Sequence, residues 1–246
     1  MWDRPPGLST ASTEAVRRVP AIRMTSLAFV LAATLGAADL ESARDRQDRT
    51  ALERAAADLA AAAGNTPQDA TAHFNAALAY SYAAEVALEL RDKGAAERAS
   101  RAGIAMAERA VSLKPSAAEY YRVLGTLCGQ VIPANVLAGI PFARRAQDAI
   151  VKALERDPKS APAYLTRGVG NYYLPPAFGG GIEKAIADFE KAIQFNPKYA
   201  DAYLWLGLAH RKANRNAEAR KAFTKSIELN PNRVWAKQQL EKTPEQ

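Results

Sequence analysis

The sequence predicts an all-α fold built from repeated antiparallel helix pairs, on three observations. Alanine is abundant and β-branched residues are sparse, which favours helix over sheet. Prolines close successive Ala-rich stretches at Thr66-Pro67, Lys114-Pro115, Asp157-Pro158, Asn196-Pro197 and Asn230-Pro231. Their spacing is 34 residues for the last interval and 39, 43 and 48 for those before it, a helix-pair period of about 34 stretched by insertions. Within the last three intervals the same residue types return in the same order, an aromatic and a glycine first, then small and bulky apolar residues before the proline, and the first interval follows more loosely.

Residues 1–38 stand apart from this pattern. A polar, Pro-containing stretch leads to Arg23-Met24, then to the apolar run from Leu27 to Ala33 and the small residues Gly36-Ala37-Ala38. That order is the order of a signal peptide, with Met1 or Met24 as the translation start. An apolar core of about a dozen residues is too short to span a bilayer, and no cysteine follows it to carry a bacterial lipid anchor. The expectation is a bacterial protein exported to the periplasm or beyond. If residues 24–38 are instead a helix packed on the first repeat, the chain is cytoplasmic.

Residues 39–246 read as the repeat domain: a leading half repeat, about four full repeats and a C-terminal capping helix. Ala55, Leu59, Ala62 and Pro67 match only the second helix of a pair. The first full unit holds His73, Ala77, Tyr80, Ala107, Ala110 and Pro115, with helices expected near 70–90 and 96–113. The next holds Tyr121, Leu124, Gly125, Ala146, Ile150, Ala153 and Pro158, its helices separated by the Pro-containing stretch Val131 to Pro141. Tyr164, Gly168, Ala185, Phe189, Ala192 and Pro197 form the following unit around an enlarged turn, Leu174 to Gly181, whose Gly179-Gly180-Gly181 run reads as mobile. Tyr203, Leu206, Gly207, Ala219, Phe223 and Pro231 complete the last, and Val234 to Leu240 begins the cap. The repeat-packing logic is steric. Gly125, Gly168 and Gly207 with Ala146, Ala185 and Ala219 let two helices cross closely, Phe189 and Phe223 fill the space between units, and Pro158, Pro197 and Pro231 stop the second helices.

Composition narrows the function. The net charge of +7 falls to +5 without residues 1–38, and its basic residues are interleaved with acids, so no nucleic-acid footprint is expected. The one cysteine, Cys128, excludes an internal disulfide, and two histidines, His73 and His210, in separate repeats offer no metal ligand set. Cys128 reads as a small buried hydrophobe. No nucleophile–base pair or catalytic carboxylate pair stands out, so neither enzymatic chemistry nor a cofactor is expected. The glycine run lacks the Lys-Ser/Thr that follows a phosphate-binding loop.

On these motifs the chain resembles the tetratricopeptide-repeat (TPR) family from about Ala51 to Leu240. The resemblance implies a right-handed helical solenoid whose first helices line a concave groove that holds a peptide, a protein or occasionally a small molecule. Groove positions carried over from the family, with their neighbours, are Phe74, Asn75, Tyr82, Arg122, Gln130, Tyr172, Tyr173, Arg211 and Lys212. These offer aromatic surface with cations, suited to an extended acidic peptide. The chaperone-binding carboxylate clamp of the family is absent, because Phe74 and Leu78 occupy two of its places. The enlarged turn at Tyr172-Tyr173-Leu174-Pro175-Pro176 and Phe178-Gly179-Gly180-Gly181 is also similar to the periplasmic TPR component of tripartite (TRAP) transporters. The expected function is therefore a non-catalytic scaffold for a protein or peptide partner, with small-molecule handling for a transporter as the alternative.

Overall fold

The computed structural model describes residues 39–245 except residue 135, and their side chains except those of 136–140. Residues 1–38, with the apolar run after Met24 that reads as a signal peptide, lie outside the described residues. Each of several helices begins where a polar side chain can take up the first free N–H groups. Asp48 accepts from the Ala51 N–H at 3.0 Å, Asp69 from Thr71 at 2.8 Å, Asp92 from Ala95 at 2.9 Å, and Ser160 from Ala163 at 3.3 Å. Such a cap contributes about 1 kcal/mol. The helices are α1 (39–45), α2 (Arg49–Asn65), α3 (Ala70–Glu89), α4 (Lys93–Leu113), α5 (Ala118–Ala134), α6 (Val136–Arg156), α7 (Ala161–Tyr173), α8 (Ile182–Phe195), α9 (Ala200–Lys212), α10 (Asn216–Leu229) and α11 (Val234–Glu241). Helices α2, α4, α6, α8 and α10 each stop just before one of the five prolines, which cannot continue a helix.

The pairs stack as a solenoid, and its core is a relay of clusters that each join one pair to the next first helix. Leu40 and Ala43 of α1 meet Leu52 and Ala56 of α2 and Ala83 and Val86 of α3. Ile104, Val123 and Leu127 link α4 to α5, Phe189 and Ala202 link α8 to α9, and Phe223 and Ala236 link α10 to α11. The glycines are set by contact distance: a Cβ on Gly207 would lie 2.6 Å from the Phe223 ring, and one on Gly125 2.6 Å from Ile150. Gly168 faces Phe189 in the same way. Ala185 and Ala219 have no exposed surface, while Ala146 is half-buried. A polar clamp repeats along the stack. Arg109 of α4 donates to the Pro67 carbonyl at 2.9 Å and Arg156 of α6 to that of Pro115 at 2.8 Å, tying these two second helices to the preceding turn.

Two turns differ from expectation. The Val131–Pro141 stretch is not an open connection, because α5 runs to Ala134 with Pro133 inside it and α6 starts at Val136 with Pro141 inside it. Proline's fixed φ is itself helical, so each of these prolines lets the helix continue at the cost of its own N–H bond to the carbonyl four residues back. The glycine run is tied down instead of loose. A 3₁₀ turn (Pro176–Phe178) leads to Gly181, whose N–H reaches the Asn171 carbonyl at 2.9 Å, and Lys184 Nζ donates to Gly179 O at 2.8 Å. Gly179 and Gly181 take positive φ of 87° and 122°, which an L side chain resists.

The last unit also returns to the first. Arg233, the N-cap of α11, is fully buried and reaches Glu85 of α3 at 2.7 Å and also Glu89, while its Nε lies 3.5 Å from Asp201 of α9. Arg44 at the end of α1 bridges Asp45 at 2.8 Å and Asp201 at 2.9 Å. Neutral groups complete the seam: Asn230 donates to Asp45 at 2.7 Å, Gln47 to Glu89 at 2.9 Å, and Gln238 to Gln47 at 3.2 Å. Helix α11 packs on α10 and also closes the superhelix on itself.

Four carboxyls share two guanidiniums here, so negative charge is in excess. Burial, with the charge of Glu85 adding to it, pushes Glu89 up to about 7 against the pull of Arg233. Burial raises Glu85 as well, whereas at Asp201 the burial effect is outweighed by Arg44 and Arg233 and the carboxyl is held low. A raised carboxyl keeps its proton in the folded state after the unfolded chain has released it. The contribution of Glu89 to stability is therefore greatest below the ordinary glutamate range and declines as pH rises to about 7. Glu89→Gln should raise the unfolding free energy at pH 8 by on the order of 1–3 kcal/mol, at about 1.4 kcal/mol per pKa unit, and change it little at pH 5. A pH-independent effect in urea titrations contradicts this. For the relay of clusters, Phe223→Ala should cost about 3–5 kcal/mol in the same assay, and a loss below about 1 kcal/mol would show that Phe223 does not fill the inter-unit space.

Candidate functional site

Closure decides which of the candidate groove residues remain accessible. Phe74 stacks on Tyr120 with ring centroids 4.7 Å apart, and Gln130 donates to the Ser81 carbonyl at 3.0 Å, so both serve the α3–α5 contact. Asn75 is half-buried on α3. Tyr82 lies under the Arg44 guanidinium, 5.1 Å from it, and burial raises its hydroxyl to about 12. Arg122 is paired with Glu119 at 2.5 Å and contacts Thr126, which reaches Thr166 of α7 at 3.2 Å. Tyr199 has its hydroxyl pushed strongly up, first by burial and then by the charge of Asp201. The inner face at these positions is thus occupied by the chain's own side chains.

The other candidates converge at the seam. A cavity of about 360 Å³ opens where the C-terminal end of α3 meets α7, α9 and α11, and its lining includes Tyr172, Tyr173, Trp205, Trp235 and Arg211. Tyr172 and Tyr173 sit at the end of α7, where the chain leaves the helix for the Pro/Gly turn. Trp205 and Arg211 lie on α9 and Trp235 on α11, so the site exists only because the last unit folds back toward the first. The rings meet edge to face: Tyr172 to Tyr173 at 5.0 Å, Tyr172 to Trp205 at 5.7 Å, and Trp205 to Trp235 at 5.5 Å. This geometry is worth roughly 0.5–1.5 kcal/mol per pair beyond burial.

The cations at the cleft are held differently. Arg211 donates to Gln239 Oε1 at 2.6 Å and to Thr243 at 3.2 Å, with no carboxylate among its described partners. Lys212 lies beside the cavity, its ammonium 4.3 Å from the Tyr172 ring and hydrogen-bonded to the Tyr172 carbonyl at 2.8 Å. Glu89 is on the wall, but its carboxylate is engaged by Arg233 and Gln47. Desolvation by the cleft walls raises the Tyr173 hydroxyl to about 12 although the residue is partly exposed, and raises that of Tyr172 too, and both hydroxyls, neutral at physiological pH in any case, can donate there. Trp205, Trp235, Arg91 and Lys242 were not among the sequence candidates. Trp205 lies off the family's groove positions, and Trp235 and Lys242 belong to the cap, where no groove was expected.

Cys128 is fully buried and burial raises its thiol to about 11, the chemistry of a packed hydrophobe and not of a nucleophile. His73 is buried beside the Pro67 carbonyl, and His210 has its pKa lowered by burial and by Arg215. Among the described residues no helix is long and apolar enough to cross a membrane.

Comparison with known proteins agrees with the repeat architecture. A family profile described as TPR repeat matches residues 179–213, and one described as tetratricopeptide repeat matches residues 200–233. The chain is 37% identical over 76 residues to uncharacterized protein MJ0572 of Methanocaldococcus jannaschii, covering 30% of this chain and 80% of that protein. It is 34% identical over 85 residues to superkiller protein 3 of Schizosaccharomyces pombe, which is 35% of this chain but spans only 6% of that protein's length. Among solved structures it is similar to TTC0263, a thermophilic TPR protein of Thermus thermophilus, with a TM-score of 0.55 and 20% identity, covering 77% of this chain and 91% of that one. With the profile matches in the last units, the period carried through the earlier ones and the solenoid of paired helices, the chain belongs to the tetratricopeptide-repeat family.

Proposed function

We propose that this protein is a non-catalytic scaffold that holds a partner protein or peptide at the seam cleft. The observation that carries the reading is the placement of the aromatic residues. Tyr173 is 43% exposed beside Tyr172, Trp205 and Trp235 in an open cavity, instead of packing between units as Phe189 and Phe223 do. Rigid, partly exposed aromatic rings beside arginine are the residue types that dominate binding energy at protein interfaces. The TPR fold is typically an interaction scaffold, which supports the same reading.

The apolar run after Met24 supports export, which makes the periplasm the place to look for the partner. A second reading, small-molecule handling for a transporter, is favoured by the size of the cavity, which lies within the range of about 300–1,000 Å³ typical of ligand sites. Determining the mature N-terminus in cell fractions tests export: a periplasmic chain starting near residue 39 supports it, and an uncleaved cytosolic chain contradicts it. Binding at the cleft is tested by photocrosslinking from a reactive phenylalanine placed at Tyr173, with one at exposed Glu53 of α2 as control. A partner captured from Tyr173 alone and lost on Trp205→Ala is expected. Equal capture from both positions, or capture insensitive to Trp205→Ala, would move binding away from the cleft.

A further inference from the structure

We propose that the seam cleft recognises a carboxylate carried beside a large apolar side chain on the partner's polypeptide, with Arg91 and Lys242 holding the carboxylate and the aromatic floor taking the apolar group. This rests on the scaffold reading given above. The charge on the walls leads to it. The cavity is lined by Arg91, Arg211 and Lys242 against one carboxylate, Glu89, which is already engaged by Arg233. Elsewhere in the solenoid arginines are commonly ion-paired, as Arg49 is with Glu53 and Asp92 and Arg167 is with Asp188. Arg91 and Lys242 are exposed, and neither has a carboxylate partner among the described residues.

Arg91 is also held in place by its backbone. It follows α3 with a left-handed φ of 63°, fixed by its own N–H to Leu88 O at 3.0 Å and by Asp92 N–H to Ala87 O at 2.8 Å. That conformation is disfavoured for a non-glycine residue, and here it sets the origin of a cationic side chain at the cavity rim. Lys242 follows α11 at the cavity rim. The two come from the first and last units, so the pair exists only in the closed superhelix.

The aromatic floor discriminates between ligand charges. An aromatic box can bind a cation through its ring faces, but here Lys212 already lies over Tyr172 and Arg233 lies 5.6 Å from the Trp235 ring. With those two ring faces engaged and the rim positive, the site disfavours a cationic ligand. An anion whose apolar neighbour packs on Trp205, Leu208 and Tyr173 complements the site.

The test uses the full chain with Trp2→Phe, so that Trp205 and Trp235 are its reporters. Tryptophan fluorescence is titrated with an eight-residue peptide ending in Glu-Phe with a free C-terminus, and with its isostere ending in Gln-Phe amide. The acidic peptide should bind at least about tenfold more tightly at low salt, a gap of about 1.4 kcal/mol. That gap should shrink to under about threefold in Arg91→Gln/Lys242→Gln, with an unchanged Tm, and on raising the salt to about 1 M. Equal binding of acid and amide overturns the proposal, as does the absence of binding by either. It is also overturned if free 4-phenylbutyrate binds as tightly as the peptide, which would make the cleft a small-molecule site. If photocrosslinking from Tyr173 captures a partner while acid and amide bind alike, only this inference falls; if neither crosslinking nor peptide binding occurs, the scaffold reading falls with it.

Discussion

The structure depends on one buried cation. Arg233 has no exposed surface, and it satisfies carboxyls from the first units and the last at the same point. Removing the cation of such a pair, which here would leave an excess of buried carboxyls with even less to neutralise them, costs about 3–5 kcal/mol. A solenoid ordinarily lacks such a link, since each repeat touches only its neighbours and stability is close to a sum of nearest-neighbour terms. Here Arg233, with Arg44, Asn230 and Gln238, adds an end-to-end term. The terminal units, which would otherwise fray first, are coupled to each other.

Closure also changes what the first helices do. In an open solenoid their inner positions are free to take a peptide along the groove. In this chain Tyr82, Arg122 and Tyr199 surround the ionic seam, and Phe74 and Gln130 serve the contact between α3 and α5. The inner surface becomes a polar core at these positions, and the accessible part of the groove moves to the cleft where α3, α7, α9 and α11 converge. The enlarged Leu174–Gly181 turn follows directly from the two tyrosines of that cleft, and its hydrogen bonds to Asn171 O and from Lys184 fix how α7 ends.

The local features were legible in the sequence and the non-local ones were not. Gly207 facing Phe223 and Gly168 facing Phe189 lie within one helix pair, so a 34-residue period with recurring residue types is enough to place them. The prolines at 158, 197 and 231 mark helix ends for the same reason. Pro133 and Pro141 mislead a reading of proline as a breaker, because both sit inside a helix with a φ that the helix accepts, at the cost of one backbone hydrogen bond each. The ionic seam draws on Arg44, Asp45, Glu85, Glu89, Asp201 and Arg233, spread along nearly the whole repeat domain, and nothing in the spacing of these charges distinguishes them from solvated helix faces. The aromatic half of the cleft was visible through Tyr172 and Tyr173. Its other half, Trp205 and Trp235, becomes a site only once the chain has closed.

Closure is tested most directly by a distance between its ends. With Cys128 replaced by serine, spin labels on Glu53 of α2 and Lys237 of α11, both exposed, report the separation of the first and last units by pulsed electron resonance. The account predicts one narrow distance distribution in the otherwise wild-type chain, which lengthens and broadens in Arg233→Ala while far-UV circular dichroism stays helical. A broad distribution in the wild-type chain, or one that Arg233→Ala leaves unchanged, would contradict the claim that this buried arginine joins the two ends.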